Sequence, residues 1–434
     1  MDCEQPVSAA KAPATSETEI VRKARAAKIA SRPLSVMPTA AKNAALAAMA
    51  DALRKNISAI LSSNAEDIAA ACENSMEAAM VDRLALDEAR VEGIASALED
   101  LVALPDPIGE TIAAGYVESG LEVARRRVPL GLVGIIYESR PNVTVDIAGI
   151  CLKSGNAVLL RGGSEALHSN RALRDIVYAA SLTAGMPKDW LCLVENTDRS
   201  LVGEMLRLKE YLDVIVPRGG GGLVSFVVEN ATVPILETGF GVCHTYVHVA
   251  ADLDKAADIV FNAKVRRPSI CNALDSLLVD REVAGRFLPR VAARLVEAGV
   301  EIRATEDAAS AIGDAAATMP ATAEDFDTEF LALRMAVSLV DGLDAALVHI
   351  ESHGSGHSEA IVTEEQAVAR RFLNEVDAGA VFLNASTQFT DGGEFGLGAE
   401  IGISTQKLHA RGPMGICEMT TYKWVVVGDG HTRP

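Results

Sequence analysis

The chain has 434 residues, and 49% of them are apolar. That length exceeds the roughly 250 to 300 residues at which one hydrophobic core stops growing, so we expect at least two domains. Acidic residues outnumber basic ones by 59 to 40, and the net charge of −19 argues against nucleic acid and anionic membrane surfaces as partners. The seven cysteines are scattered and include no CxxC pair, which argues against a disulfide scaffold and against a zinc cluster.

The first hundred residues read as helices, and a candidate capping box introduces them, with Ser16 three positions before Glu19. The amino terminus lacks the basic region and apolar stretch of a secretory signal. No apolar run approaches the roughly 18 residues that a membrane span needs. We therefore expect a cytoplasmic protein without a membrane partner.

From about residue 131, short β-rich runs alternate with helical segments. Five runs, GLVGIIYES, AVLLRG, LCLV, LDVIVPRG and VPIL, predict a parallel, doubly wound sheet with four helical crossovers. Ligands of such sheets bind at the carboxyl ends of the strands, so we expect the chemistry at 137–142, 161–165 and 217–222.

A second α/β series predicts a second doubly wound domain, with strand-like runs at 245–250, 275–280, 334–340, 359–363 and 379–386. The stretches 112–128 and 420–428 belong to neither core and are typical of strands in a projecting β element. Exposed strands of this kind usually pair with another subunit, so we expect a homo-oligomer, as a dimer or a dimer of dimers.

The sharpest local feature is RRPSICNALDSLLV, in which Cys271 precedes a strand and follows Arg267 by four positions. A loop cysteine beside a cation has the setting that lowers a thiol pKa and supplies a thiolate nucleophile. An inert, partly buried thiol is the alternative that these residues leave open.

The segment VPLGLVGIIYESRPNVTVDIAG (128–149) resembles the strand-to-helix segment of the aldehyde dehydrogenase superfamily. The resemblance implies that the side-chain amide of Asn142 and the backbone N–H of Cys271 hold the oxyanion formed when the thiolate attacks a carbonyl carbon. Without the cysteine, Asn142 reads as a helix cap.

The run AVLLRGGSEALHSN ends a strand at Arg161 and places Ser164 three residues later, where NAD-preferring members of the superfamily carry lysine and glutamate. Arginine binds phosphate and a glutamate would repel it, so the resemblance implies NADPH as the cofactor. A one-residue shift of the loop would bring Glu165 to the ribose instead. In VIVPRGGGGLVSFV, Gly219 and Gly220 would let backbone N–H groups approach a pyrophosphate, although a flexible turn fits the same residues.

The same resemblance carries over two carboxylates. Glu237 in ILETGFG matches the carboxylate that activates water for thioester hydrolysis. A reductase does not need that water, so the catalytic role of Glu237 is left open. Glu329 in DTEFLALR matches the glutamate that contacts the nicotinamide ribose.

The most specific resemblance is C-terminal, where ALVHIESHGSGHSEAIVT (346–363) and residues 381–430 resemble the γ-glutamyl phosphate reductase family. It implies substrate binding by Arg267 and by the backbone N–H groups of Gly398 and Ala399. Gln388 stands where that family usually has arginine, so no contact is assigned to it.

His353 and His357 in HGSGH have i, i+4 spacing, but the glycines on either side of Ser355 disfavour a helix there and no HExxH glutamate is present. We therefore predict no metal site.

The resemblance implies NADPH-dependent reduction of L-glutamyl 5-phosphate to L-glutamate 5-semialdehyde and phosphate, a step of proline biosynthesis, through a thioester on Cys271. The implied fold is α/β and aldehyde-dehydrogenase-like, with two doubly wound domains and a small β oligomerisation element. We assign residues 1–110 and 129–238 to an NADPH-binding domain, 239–410 to a catalytic domain, and 111–128 and 411–434 to oligomerisation strands. Transient contact with the glutamate kinase that supplies the acyl phosphate is a further expectation.

Two alternatives stand beside this interpretation. An NAD-dependent aldehyde dehydrogenase would hydrolyse its thioester with Glu237. A catalytically silent relative would keep the fold alone, because fold does not dictate function.

Overall fold

The computed structural model describes residues 17–433, so Ser16 of the capping box and Cys3 lie outside the described residues. The first helix begins at Glu19, with Thr18 as its N-cap residue. The Glu19 carboxylate does not cap its own helix. It accepts the backbone N–H groups of Glu195 and Asn196, at 3.1 and 3.0 Å, and so ties the helix to the end of a strand.

Helices occupy the described part of the first hundred residues, as the sequence predicts, and a hairpin follows them. The elements are α1 (Glu19–Leu34), α2 (Thr39–Lys55), α3 (Ile57–Glu73), α4 (Ala78–Leu84), α5 (Glu88–Ala103), β1 (Thr111–Tyr116) and β2 (Glu122–Pro129).

Strands and helices then alternate to form the first sheet and its covering. The elements are β3 (Leu132–Tyr137), α6 (Val143–Lys153), β4 (Ala157–Gly162), α7 (Leu167–Thr183), β5 (Leu191–Leu193), α8 (Ser200–Met205), β6 (Val214–Arg218) and α9 (Gly221–Asn230). The four strands are parallel in the order β5-β4-β3-β6. Apolar clusters cover both faces, which is why β3 and β4 read as continuous hydrophobic runs.

The fifth strand predicted in this sheet, VPIL, is not a regular strand. Ile235 makes only an isolated bridge with Ile215, because Pro234 accepts the Ile215 N–H but has no N–H of its own to extend the ladder.

The second α/β series contains all five expected strands and two more, β9 and β10. The elements are β7 (Cys243–Val247), α10 (Leu253–Val265), β8 (Leu274–Asp280), α11 (Arg281–Glu297), β9 (Glu301–Ala304), α12 (Glu306–Ile312), β10 (Met319–Pro320), β11 (Arg334–Val340), α13 (Gly342–His353), β12 (Ser358–Val362), α14 (Gln366–Glu375) and β13 (Ala380–Leu383). The sheet is parallel in the order β10-β9-β11-β8-β7-β12-β13, with apolar clusters on both faces.

Three C-terminal strands follow, two of them of only two residues: β14 (Ile403–Ser404), β15 (Gly412–Pro413) and the longer β16 (Thr420–Val427). β16 pairs antiparallel with β2 of the hairpin and forms a separate sheet of order β1-β2-β16. The carboxyl ends of β3 and β6 and the amino ends of β7 and β8 line a common cleft, so the two parallel sheets meet where the chemistry is expected.

Candidate active site

Cys271 lies in the loop between α10 and β8 and is partly buried. Its carbonyl oxygen accepts a hydrogen bond from the Cys243 thiol at 3.2 Å. Gly241 stands against the same carbonyl, so close that an added Cβ would lie 1.6 Å from the oxygen. The chain before β7 therefore fixes the position of the cysteine loop, and this approach requires glycine.

Cys271 lines a cavity of about 390 Å³ that extends to Gly219, Glu237 and Glu329; we call it the cysteine cavity. A neighbouring cavity of about 480 Å³ is lined by Asn142, and we call it the asparagine cavity.

The thiol of Cys271 is not activated in this state. Burial, together with the carboxylate of Glu400, raises its pKa to about 12. The cations that oppose this shift are Arg218 and Arg140, in place of Arg267 that the sequence suggested. The thiol therefore keeps its proton at neutral pH until a ligand changes the charge around it.

Asn142 is the N-cap residue of α6, as the alternative reading had it, but its side chain does not cap the helix. Its amide donates to the Asp146 carboxylate at 2.8 Å. Burial raises the pKa of Asp146 to about 6, and the bond from Asn142 lowers it in part. The amide faces the asparagine cavity and would turn from Asp146 to meet an oxyanion.

Glu237 lines the cysteine cavity and forms hydrogen bonds with the side chain of Gln406. Its backbone N–H donates to the Gln406 side-chain oxygen at 2.9 Å, and the Gln406 amide donates to its carboxylate at 3.4 Å. These bonds turn Glu237 toward the loop after β14.

Glu329 also lines the cysteine cavity, where its carboxylate accepts the Gly241 N–H at 2.9 Å. Burial raises its pKa, and its charge contributes to the raised pKa of Cys271. One oxygen of Glu329 thus holds the chain at Gly241, which packs against Cys271.

The glycine loop at the start of α9 fits a nucleotide pyrophosphate. Space is open beside Gly220, Gly221 and Gly222, where an added Cβ would meet no atom within 4 Å. The Gly220 N–H already donates to an anionic group, the Glu138 carboxylate, at 3.0 Å. Glu138 is exposed and could turn aside for a ligand, whereas a Cβ at Gly219 would lie 2.4 Å from its carboxylate.

The ribose loop after β4 is less open than the sequence suggests. The Arg161 side chain is buried and donates to the carbonyl oxygens of Gly162 and, at 3.0 Å, Thr197. The Glu165 carboxylate accepts both the backbone N–H and the hydroxyl of Ser139, at 2.7 and 2.9 Å. Ser164 is exposed at the start of the following turn and is free to face a ligand.

The three residues predicted to bind substrate share one cavity, but one of the two predicted backbone donors is already used. Arg267, Gly398 and Ala399 all line the asparagine cavity. The Ala399 N–H donates to the Leu397 carbonyl at 3.0 Å, so it is not directed at a ligand as the sequence analysis implied.

Gln388, which takes the place of an arginine, is buried beneath the cysteine loop. Its amide donates to the carbonyl oxygens of Ala263 and Arg267, at 2.9 and 3.3 Å, and its oxygen accepts from Arg266 at 3.2 Å. These contacts hold the end of α10, and Gln388 also lines the cysteine cavity.

His353 and His357 do not share a helix, because α13 ends at His353. His353 pairs with Asp327 at 2.7 Å, and His357 meets the Ser358 hydroxyl at 2.8 Å.

Arg140, Arg218 and Glu400 were not named from the sequence, yet they line both cavities. Arg140 follows β3 and Arg218 is the last residue of β6, within the windows 137–142 and 217–222 where ligands were expected. A search for cations at strand ends would have found them. Glu400 gives no comparable signal, since it lies far from any long strand.

Residues 3–319 match the aldehyde dehydrogenase family model, which is the class of oxidoreductase that this fold and its loop cysteine define. The γ-glutamyl phosphate reductase of Dehalococcoides mccartyi is 52% identical over 96% of this chain and 98% of its own. The enzyme of that name from Moorella thermoacetica is 53% identical over 96% of this chain and 99% of its own.

A solved γ-glutamyl phosphate reductase from Thermotoga maritima has a TM-score of 0.92 at 48% identity and covers 96% of this chain and 100% of its own. An acetylating aldehyde dehydrogenase from Geobacillus thermoglucosidasius, 19% identical, covers 96% of this chain and 98% of its own, and shares the fold with a TM-score of 0.68. The chain belongs to the γ-glutamyl phosphate reductases, within the aldehyde dehydrogenase family, and the fold expected from the sequence is confirmed.

Proposed function

We propose that this protein reduces L-glutamyl 5-phosphate to L-glutamate 5-semialdehyde and phosphate with NADPH, as a step of proline biosynthesis. The observation that carries the proposal is the placement of Cys271 in a cavity that also reaches the open glycine loop before α9. The names of relatives about 50% identical over nearly the whole chain support the same substrate.

The covalent step forms a bond between the Cys271 sulfur and the acyl carbon and breaks the bond from that carbon to the phosphate oxygen. The thiol proton leaves with the phosphate. Asn142, released from Asp146, would donate to the oxyanion during this exchange.

The nicotinamide, when bound, supplies the hydride that converts the thioester to the aldehyde and returns the sulfur to a thiol on taking up one proton. Gly219 and Gly220 would hold the pyrophosphate, Ser164 the ribose phosphate, and Glu329 the nicotinamide ribose. Arg161 would join Ser164 only on leaving the carbonyl oxygens of Gly162 and Thr197. The work of the chain is to align these groups and to exclude water.

The hydrogen bonds of Glu237 favour reduction of the thioester over its hydrolysis. Its backbone and carboxylate both bond to Gln406, so the group that would activate water is turned to a neighbour.

No helix in residues 17–433 is long and apolar enough to cross a bilayer. We propose that the enzyme acts in the cytoplasm as a homo-oligomer and receives its unstable substrate by transient contact with the glutamate kinase.

The test runs the reaction in reverse and follows NADP⁺ reduction with glutamate semialdehyde, with and without inorganic phosphate. We expect a strict phosphate requirement, and Cys271→Ala should be inactive while still binding NADPH. Reduction of NAD⁺ without phosphate would support the hydrolytic dehydrogenase instead. No turnover together with no rapidly alkylated cysteine would identify a silent relative.

A further inference from the structure

Four arginines form the wall that the cysteine cavity and the asparagine cavity share, and we call them the arginine wall. They are Arg83 of α4, Arg140 after β3, Arg218 at the end of β6 and Arg267 after α10. The chain thus gathers cations from both parallel-sheet units and from the N-terminal helices at one place.

The arginine wall has no carboxylate partner at ion-pair distance among the residues that the structure describes. Among the ion pairs of residues 17–433, formed at 4.0 Å or less, none includes any of the four. Arg83 donates to the Ser269 carbonyl at 3.0 Å, which is a neutral acceptor.

The cations also repel one another. Burial, together with the charges of Arg218 and Arg83, lowers the pKa of Arg140 to about 10. Partly buried guanidinium groups that lack a counter-charge are unfavourable, and a bound anion would relieve both the desolvation and the repulsion. Carboxylates do face the wall, from Glu400, Asp391 and Asp146, but they stay beyond ion-pair distance.

Two arginines of the wall act most strongly on the charge state of the Cys271 thiol. Arg218 and Arg140 are the cations that lower the pKa of the Cys271 thiol. An anion held between them would lie beside the sulfur, whereas one held by Arg267 would lie toward the exposed rim.

We propose that Arg140 and Arg218 form a phosphoryl site that binds the phosphate of the acyl phosphate, and inorganic phosphate in the reverse direction, beside Cys271. The proposal rests on the proposed function and adds the residues that make the enzyme use phosphate and not water. Guanidinium groups match phosphate oxygens in a bidentate way, and here they would also stabilise the negative charge that gathers on the leaving oxygen.

In the forward step the Cys271 sulfur gains the acyl group, the carbon–oxygen bond to phosphate breaks, and the leaving group departs as hydrogen phosphate with the former thiol proton. The cations are then needed most when charge moves from sulfur to phosphate. The substrate has a second anion, its α-carboxylate, and that group must be distinguished from the phosphate in the test.

The experiment measures KM for inorganic phosphate and KM for glutamate semialdehyde separately, at saturating NADP⁺, in Arg218→Gln, Arg140→Gln, Arg218→Lys and Arg140→Lys. Loss of a charge-assisted contact should raise the phosphate KM by about tenfold to a hundredfold in the glutamine variants, and less in the lysine variants. The semialdehyde KM should change much less. Arg286→Gln, an exposed arginine on α11 that lines neither cavity, is the matched control.

A second readout does not need turnover. Inorganic phosphate should slow alkylation of Cys271 in the wild-type protein, and this protection, taken as a ratio of rates with and without phosphate, should be lost in Arg218→Gln. A semialdehyde KM that rises while the phosphate KM stays constant would assign the wall to the α-carboxylate and overturn the proposal. An unchanged phosphate KM in both glutamine variants would also overturn it. A wild-type enzyme without any phosphate requirement would instead refute the proposed function itself, and with it this inference.

Discussion

Among single residues, Asp146 accepts a hydrogen bond from Asn142, the proposed oxyanion donor. Its burial disfavours the ionised form of the carboxyl. Its folded pKa of about 6 lies above the ordinary 3.8, with burial as the main cause. The contribution of Asp146 to stability is therefore present below about pH 4 and is lost as the pH rises through 6, because ionisation opposes folding in that range.

Asp146→Asn should consequently raise Tm relative to wild type more at pH 8 than at pH 5. The asparagine keeps an acceptor for the Asn142 amide but cannot ionise. Thermal melts at the two pH values measure the difference, and Asp51→Asn on the exposed face of α2 serves as the control. A difference that stays constant or shrinks with rising pH would contradict the prediction.

We expect the proposed preference for NADPH to depend on another single residue, Ser164. It is exposed at the ribose loop, while Arg161 is buried and bonded to backbone carbonyls. Ser164→Glu would set a carboxylate beside the 2′-phosphate of NADPH, so the ratio of kcat/KM for NADPH to that for NADH should fall by about tenfold to a hundredfold.

The neutral variant Ser164→Gln has nearly the same volume and separates charge from bulk. An equal loss in both variants would indicate crowding, and an unchanged ratio in Ser164→Glu would mean that the ribose binds elsewhere on the loop.

At this scale the sequence predicted which candidate residues share a cavity better than it predicted the charges around Cys271. Cys271, Glu237, Gly219 and Glu329 do line one cavity. The cations around the thiol were missed because they come from strands more than fifty residues away in the chain. Local spacing offered only Arg267, four positions before the cysteine, and its neighbour Arg266.

Among the elements, the approach of the two loops before β7 and β8 is the tightest contact of the site. An added Cβ at Gly241 would lie 1.6 Å from the Cys271 carbonyl oxygen, which is backbone and cannot rotate away. Gly241→Ala should therefore displace the nucleophile and lower kcat by about a hundredfold or more, the scale of a misplacement near 1 Å.

The control is Gly285→Ala on α11, where an added Cβ meets no atom within 4 Å. It should keep full activity and gain about 0.5 to 1 kcal/mol of stability, as expected for a helical glycine. A wild-type kcat in Gly241→Ala would mean that the cysteine loop moves without harm.

The sequence predicted the strands correctly where an apolar run was long enough to be recognised. β3, β4, β7 and β8 are buried along their whole length and were all predicted. β9 was missed because its four residues, EIRA, alternate between partly buried and buried positions and carry two charges. Periodicity gives little signal over so short a strand.

At the scale of the whole molecule, the sheet β1-β2-β16 exposes several large apolar side chains to solvent in the single chain. Tyr116, Trp424 and Val426 are 79%, 61% and 53% exposed, although each is a large apolar residue in a strand. Such a surface is typical of one that pairs with another subunit. The prediction of a homo-oligomer therefore rests on this sheet.

Val426→Lys should convert the oligomer to monomers in sedimentation, since a lysine on an exposed strand opposes edge pairing and the burial of its neighbours. Deletion of 420–434 should do the same or cause aggregation, because it also removes the partner strand of β2. Val348→Lys, on α13 and 62% exposed, changes an equally exposed valine outside this sheet and should leave the oligomer intact. If Val426→Lys sediments as wild type, the subunits meet through another surface, and the exposed face of β16 must then have a different partner.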